Sequence, residues 1–230
     1  MRFITVGVLG CLLLTSCALP SNAQGVSNVV EADVTTPSGS RGVMVRPAGT
    51  GPYPAVLHLH GSGDAVANNV DVLRIFAQAG YVAMDIEYRQ TGQGSIDVAD
   101  IHTSLEFLNG SRYVRRGVIA LNGFSLGGRM ALRVAAHAKV LAVSAIAART
   151  SSQSNPTVLD EADRLNSPIL LQHGTNDSVV PHQDSVLLDK KLKSLGRRVE
   201  LVSYRGAGHT SLPWNEVYDR VLVFFRNHLR

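Results

Sequence analysis

The chain has 230 residues, of which 45% are hydrophobic and 17% charged, and a formal net charge of +4. That length suits one domain and buries roughly 70–75% of the unfolded surface, enough for a core that needs no staples. A mean hydropathy of +0.08 excludes a polytopic membrane protein, ordinary glycine and proline usage excludes collagen-like and most disordered classes, and aromatics at 6% with no interleaved basic run argue against nucleic-acid binding.

Residues 1–23 read as a signal peptide ahead of a single domain spanning 24–230. Arg2 precedes an apolar run from Phe3 to Leu14. The run is shorter than the about 20 residues a bilayer span needs and has the length of a signal-peptide core. Two processing readings stand open. Leu14-Thr15-Ser16-Cys17 has the form of a bacterial lipobox, with Cys17 lipidated and the protein anchored in the periplasmic or cell-envelope space. Ser21-Asn22-Ala23 fits ordinary signal peptidase, cutting before Gln24 to give a secreted form. The lipobox is the preferred expectation. Both cysteines, Cys11 and Cys17, lie in this segment, so the domain has no disulfide and no thiol nucleophile or ligand.

Along the domain, short apolar runs predict strands over Val29–Thr35, Gly42–Arg46, Ala55–His60, Tyr81–Tyr88, Gly117–Asn122, Leu141–Ala147, Pro168–His173 and Val199–Tyr204. Between them, apolar residues at helical spacing predict helices over Asn69–Ala79, Val98–Leu108, Ser125–Ala138, Gln183–Leu195 (capped by Gly196) and Trp214–Leu229. Runs such as Ala55-Val56-Leu57 and Ile169-Leu170-Leu171 are apolar at every position, as in parallel strands covered on both faces. The alternation implies an α/β fold: a doubly wound, mostly parallel eight-stranded sheet. The first two strands, joined by Pro37-Ser38-Gly39, predict an antiparallel hairpin at one edge. Arg149–Asn166 is the one long polar stretch and reads as a small insert, at most a minimal lid.

The sharpest motif is Gly123-Phe124-Ser125-Leu126-Gly127-Gly128, set between a predicted strand and a predicted buried helix. G-x-S-x-G in that context is a nucleophile elbow: a tight turn pushes the serine out, and the glycines let neighbouring backbone approach. A serine hydroxyl needs a base to take its proton. Downstream, Asp177 follows the strand ending at His173, and His209 follows the strand ending at Tyr204. Both fall at the carboxyl edge of the sheet beside Ser125, where open α/β sheets carry their sites. Ser125 is thus the expected nucleophile, His209 the base and Asp177 the residue that orients it.

Other candidates fit less well. His173 reads as a turn-shaping residue and His58 as core. His102, His137, His182 and His228 lie on or near helices, Asp184 and Asp189 inside a helix away from the edge, and Asp160 and Asp163 in the polar insert. The expected oxyanion donors are the backbone N–H groups of Leu126 and of Ser62 in the His60-Gly61-Ser62-Gly63 loop, with Gly63 the alternative to Ser62. Arg89 is expected to brace loops, and Trp214 either walls the site or packs the last helix. No metal or organic cofactor is implied.

With these residues in hand, residues 28–230 resemble the α/β-hydrolase superfamily, and within it the dienelactone-hydrolase-like and prolyl-oligopeptidase-like serine esterases. The resemblance rests on the His60-Gly61 loop, Tyr88-Arg89, Gly123–Gly128, His173-Gly174-Thr175-Asn176-Asp177 with Val180-Pro181, and Gly208-His209. It departs from dienelactone hydrolases in the nucleophile, which is Ser125 here and cysteine there. The propeller of prolyl oligopeptidases has no room in this chain, and haloalkane dehalogenases carry aspartate at the elbow. The N-terminal segment, the ordered Ser125, Asp177 and His209, and the short polar insert together lead to the expectation of an exported serine hydrolase cleaving small or soluble carboxylic esters through an acyl-enzyme. A peptidase, acyltransferase or perhydrolase on the same triad, or a non-catalytic surface-binding homologue, are the alternatives. The expected partner is a small-molecule ester, with no nucleic acid.

Overall fold

The computed structural model describes residues 28–88, 98–152 and 156–230 and the backbone of residues 90, 91, 95 and 96. Residues 1–23, expected to be a signal peptide and carrying Cys17, and Arg89 lie outside the described residues. In chain order the elements are β1 (Val29–Thr35), β2 (Arg41–Pro47), β3 (Tyr53–Leu59), α1 (Val66–Gln78), β4 (Val82–Ile86), β5 (Gln90–Thr91), β6 (Ser95–Ile96), α2 (Val98–Gly110), β7 (Val114–Phe124), α3 (Leu126–Ala135), β8 (Ala142–Ile146), β9 (Ile169–Gly174), α4 (Gln183–Ser194), β10 (Val199–Tyr204) and α5 (Trp214–His228).

The main sheet has eight strands in the order β1-β2-β4-β3-β7-β8-β9-β10. β1 and β2 form the expected edge hairpin, β2 runs antiparallel to β4, and every pairing from β4 through β10 is parallel. The continuous apolar runs divide by parity between two faces. Ala55, Leu57 and Leu59 of β3 join a core with Ile101 and Leu105 of α2, Met130 and Leu132 of α3, and Leu188 and Leu192 of α4. Val56, on the same strand, points the other way, into a core with Leu73 and Phe76 of α1 and Val221 and Phe225 of α5. Burying a side chain such as Phe76 or Leu57 contributes about 1.5–3 kcal/mol, and both are fully buried. α4 ends as the sequence implies. Gly196 has φ +68°, the Arg197 N–H reaches the Leu192 carbonyl at 2.9 Å and the Gly196 N–H reaches Lys193 at 3.0 Å, a glycine-capped terminus.

Three features differ from the sequence reading. β5 and β6 form a separate two-stranded ribbon, too short for any periodicity to announce. β7 begins at Val114, ahead of the expected Gly117, with a register shift against β3 between Tyr53 and Ala55. The polar stretch 149–166 is pinned to the core. Val158, Ala162 and Leu165 are buried with α2, α3 and α4, and Asp184 of α4 accepts the Thr150 and Ser151 N–H groups at 2.9 and 2.7 Å. Asp184 therefore anchors this connection instead of standing idle in its helix.

Candidate active site

The elbow geometry follows from residues with no side chain. Pairing puts Gly123 beside Leu59 of β3 and Ala145 of β8, at the centre of the sheet. The chain then turns through Ser125 at φ 55° and ψ −115°, a conformation L-residues seldom adopt. The Ser125 N–H is held by the Ile146 carbonyl at 2.8 Å, and the Ser125 carbonyl accepts the Arg129 N–H at 3.1 Å, the first bond of α3. A Cβ on Gly127 would lie 1.9 Å from the Leu59 carbonyl oxygen, and one on Gly123 would lie 2.4 Å from the Gly127 backbone. The glycines at these two positions are what let α3 start this close to β3.

Asp177 and His209 reach Ser125 because two strand-end loops are tied together. After β9, the Thr175 N–H bonds the Tyr204 carbonyl and the Asn176 N–H the Ala207 carbonyl, each at 2.9 Å. The Gly206 N–H returns to the Thr175 hydroxyl at 2.8 Å. A Cβ on Gly174 would meet the Ala207 carbonyl oxygen at 2.3 Å, so this glycine permits the contact. The three side chains then fall in line. The Ser125 hydroxyl lies 2.9 Å from His209 Nε2, and His209 Nδ1 lies 2.7 Å from Asp177 Oδ2.

Asp177 is saturated with donors. Its Oδ1 accepts the Val179 and Val180 N–H groups at 2.9 and 2.8 Å, and its Oδ2 takes a second imidazole, His173 Nε2, at 3.1 Å. Burial pushes the Asp177 carboxyl up, but the His209 bond and the two backbone donors outweigh it and hold the group below its usual range. An ionised Asp177 only accepts. His209 therefore carries its proton on Nδ1, leaving Nε2 to accept the Ser125 hydroxyl proton.

His173 does more than shape a turn. It is fully buried, with Nε2 facing both Asp177 and the Val180 carbonyl (3.0 Å) and Nδ1 2.7 Å from the Ser185 hydroxyl. Burial lowers its pKa, so it is neutral, and two acceptors at Nε2 fix the proton there. Its position four residues before Asp177 was visible in the sequence; the Ser185 contact from α4 was not. His58 is core as expected: burial lowers it to about 4, and its Nδ1 accepts the Asn122 amide at 2.9 Å beneath the elbow.

Of the two expected oxyanion donors, Leu126 adjoins Ser125 in the chain and Ser62 stands in the loop set against it. Leu126 is the first residue of α3, so its N–H has no intrahelical acceptor. Across the site, the Asp64 N–H closes a turn onto the Gly61 carbonyl at 3.3 Å, leaving Ser62 and Gly63 exposed at its crest. A Cβ on Gly61 would stand 3.8 Å from Ser125 Cβ, which sets this loop against the serine. The loop is braced from below. The Tyr88 hydroxyl donates to the His60 carbonyl, their rings stack at 4.3 Å, and Glu87 accepts the Val66 N–H at the start of α1 at 2.8 Å.

Phe124, preceding the serine, places its ring 4.9 Å from that of His209 and 5.2 Å from that of Trp214. Trp214 both packs α5 against the elbow and fronts an open cleft of about 720 Å³ that reaches Asp64. Neither this cleft nor a second one of about 660 Å³, between β10 and α5, is lined by Ser125, His209 or Asp177.

Comparison with known proteins agrees with this architecture. The dienelactone hydrolase family matches residues 89–216. A Bradyrhizobium protein named as a 2-oxo-3-(5-oxofuran-2-ylidene)propanoate lactonase is 25% identical over 235 residues, covering 86% of this chain and 93% of its own. The uncharacterised peptidase YtmA of Bacillus subtilis is 28% identical over 208 residues, covering 74% and 80%. A structure of a protein named as a dienelactone hydrolase from Klebsiella pneumoniae superposes with a TM-score of 0.77 at 20% identity, covering 87% of this chain and 99% of that one. The chain is a hydrolase that belongs to the dienelactone hydrolase family.

Proposed function

We propose that the protein is a serine esterase acting through an acyl-enzyme, with Ser125 as nucleophile, His209 as general base and acid, and Asp177 as the group that fixes the imidazole. The reading is carried by one observation: the Ser125 hydroxyl, both nitrogens of His209 and Asp177 Oδ2 stand in one hydrogen-bonded line of 2.9 and 2.7 Å. Ser125 Oγ attacks the ester carbonyl carbon while its proton passes to His209 Nε2. The oxyanion that forms is taken by the N–H groups of Leu126 and Ser62, where each donor is worth roughly 10²–10³ in rate. Collapse breaks the carbonyl–alkoxy bond, and His209 returns its proton to the departing alcohol. Water then repeats the sequence on the acyl-enzyme, releasing the acid and restoring the Ser125 hydroxyl. A lactone is a cyclic ester, so the Bradyrhizobium relative's named chemistry needs no further group.

The test is hydrolysis of p-nitrophenyl esters from acetate to dodecanoate by the signal-free protein and its Ser125→Ala form. Serine-dependent turnover peaking at short acyl chains is expected. A matched p-nitroanilide series separates the peptidase reading, which the Bacillus relative's name favours: amide turnover above ester turnover would replace the esterase with a peptidase. Export with lipidation at Cys17 is part of the proposal, supported by the Leu14–Cys17 lipobox. Mass spectrometry of the mature protein is expected to find a diacylglyceryl-modified Cys17 at its start; a free Gln24 would overturn the anchor.

A further inference from the structure

His58 and Asn122 are polar residues inside strands whose neighbouring positions are apolar. They are register partners across β3 and β7, and they are 1% and 0% exposed. Val56, on the same face of β3 as His58, packs with Leu73 and Phe76 of α1. A leucine at position 58 would suit that face, whereas a buried imidazole destabilises it unless both nitrogens are hydrogen-bonded. Packing alone gives no reason for a polar pair here; the hydrogen bonds do.

Those bonds run from the strand of the nucleophile to the turn that carries the Ser62 N–H. Asn122 stands on β7 just ahead of the elbow. Its side-chain amide lies 2.9 Å from His58 Nδ1, and His58 Nε2 lies 3.4 Å from Asn69 Oδ1 on α1. Asn69 Nδ2 donates to Asp64 Oδ2 at 2.9 Å and to the Ala65 carbonyl at 3.0 Å. Asp64 closes the turn onto Gly61 that has Ser62 and Gly63 at its crest. The proton positions follow from the far end. The Asp64 carboxylate is held ionised by the Ala65 N–H and the side-chain amides of Asn68 and Asn69, which outweigh the upward push of burial. Asn69 Nδ2 therefore meets acceptors only, its oxygen faces His58, and His58 donates to it from Nε2. Burial lowers the His58 pKa to about 4, so the ring is neutral and its Nδ1 accepts the Asn122 amide.

We propose that His58 is a positioning residue of the active site: bonded to Asn122 on one side and through Asn69 to Asp64 on the other, it fixes the Ser62 turn relative to Ser125 and keeps the oxyanion donor aimed at the reacting carbonyl. The role rests on the serine-esterase reading above and adds to it the groups that hold the oxyanion site in place. Tyr88 holds the start of the loop at the His60 carbonyl; the His58 line holds its far end at Asp64. Gly61 packs against Phe124 and Ser125, a contact that stops the turn from moving inward but not from drifting away.

Acylation and deacylation both form an oxyanion, so a displaced donor lowers kcat and leaves KM nearly unchanged. The test measures kcat and KM for p-nitrophenyl acetate in the wild type, His58→Leu, Asn69→Leu, the double variant and His58→Gln, with thermal melts alongside. It also measures inhibition by phenylboronic acid, whose tetrahedral adduct with a serine fills the oxyanion position. Outright loss of a donor costs roughly 10²–10³ in rate, and a displaced one is expected to cost about tenfold in kcat and about tenfold in boronate affinity in each leucine variant. Either substitution breaks the same line, so the double variant should also lose only about tenfold, where independent effects would multiply to about a hundredfold. His58→Gln, which keeps one acceptor and one donor, should recover about threefold of the loss or more. Wild-type kcat in the leucine variants, whatever their melting temperatures, or a hundredfold loss in the double variant, overturns the positioning role and leaves the esterase reading standing. Should His58→Leu fail to fold, Asn69→Leu, at the half-buried end of the line, decides by the same two constants. A wild type that does not hydrolyse the ester overturns the esterase reading and the role with it.

Discussion

His173 Nε2 lies 3.1 Å from Asp177 Oδ2, the same oxygen that His209 Nδ1 approaches at 2.7 Å. One carboxylate oxygen thus holds two imidazoles, one of them buried and tied through Ser185 to α4. The carboxylate cannot rotate to follow His209 without breaking the His173 bond. We expect His173→Phe, which keeps the ring and removes both nitrogens, to lower kcat about tenfold while KM changes little. A hydrogen bond to a charged group contributes about 1.5–3 kcal/mol, the size of that loss. His173→Gln, which keeps an N–H donor, should recover part of it. Steady-state kinetics on both variants checks this; equal losses in stability with kcat unchanged would make His173 a core residue only.

Asp177→Asn is expected to reduce kcat about 10⁴-fold with the fold intact. The amide presents an N–H to His209 Nδ1 and favours the tautomer whose proton sits on Nε2, where it blocks the serine. The depressed Asp177 pKa also gives a sign for stability. The stabilisation is present above the unfolded carboxylate value and is lost as pH falls through the lower folded one. Thermal melts of wild type and Asp177→Asn should therefore converge in acid.

Asp85 carries the opposite sign. It is fully buried in β4, and burial raises its pKa well above the usual carboxylate range, although its Oδ1 accepts the Ile86 N–H at 2.8 Å. The folded state holds this proton more tightly than the unfolded chain. Its stabilisation is complete below the unfolded value and drains away as pH rises through the folded one. Asp85→Asn should gain in melting temperature over wild type as pH is raised, with the gap narrowing toward about pH 4.

Glycines of the elbow and of a helix end should respond oppositely to alanine. Gly127→Ala drives a methyl to 1.9 Å from a backbone oxygen, and we expect a loss of about 3 kcal/mol or more. Gly110, the last residue of α2, has open space around it, and Gly110→Ala should stabilise by about 0.5–1 kcal/mol. Urea melts of the two variants test both signs together.

The three residues that the structure brings into one hydrogen-bonded line were legible because each follows an apolar strand with a glycine within three residues before it: Gly123 before Ser125, Gly174 before Asp177, Gly208 before His209. The parity of Ala55-Val56-Leu57 likewise announced a sheet covered on both faces, as its two cores show. What stayed hidden depends on residues distant in the chain. The partners of His173 come from the next loop and from α4, and the Phe124–Trp214 contact spans two separate elements. Val158, Ala162 and Leu165 are scattered through polar sequence, so local composition concealed that this stretch fills a core. The β5–β6 ribbon is too short to leave a pattern at all.

During turnover Ser125 is expected to carry the acyl group. This is tested most directly by mixing the protein with p-nitrophenyl acetate, quenching in acid during the first turnover, and mapping acetylated peptides by mass spectrometry. One acetyl group is expected on the peptide containing Ser125, absent from Ser125→Ala and strongly reduced in His209→Gln. Release of p-nitrophenol at the wild-type rate by Ser125→Ala, or an acetyl group on another residue during turnover, would contradict it.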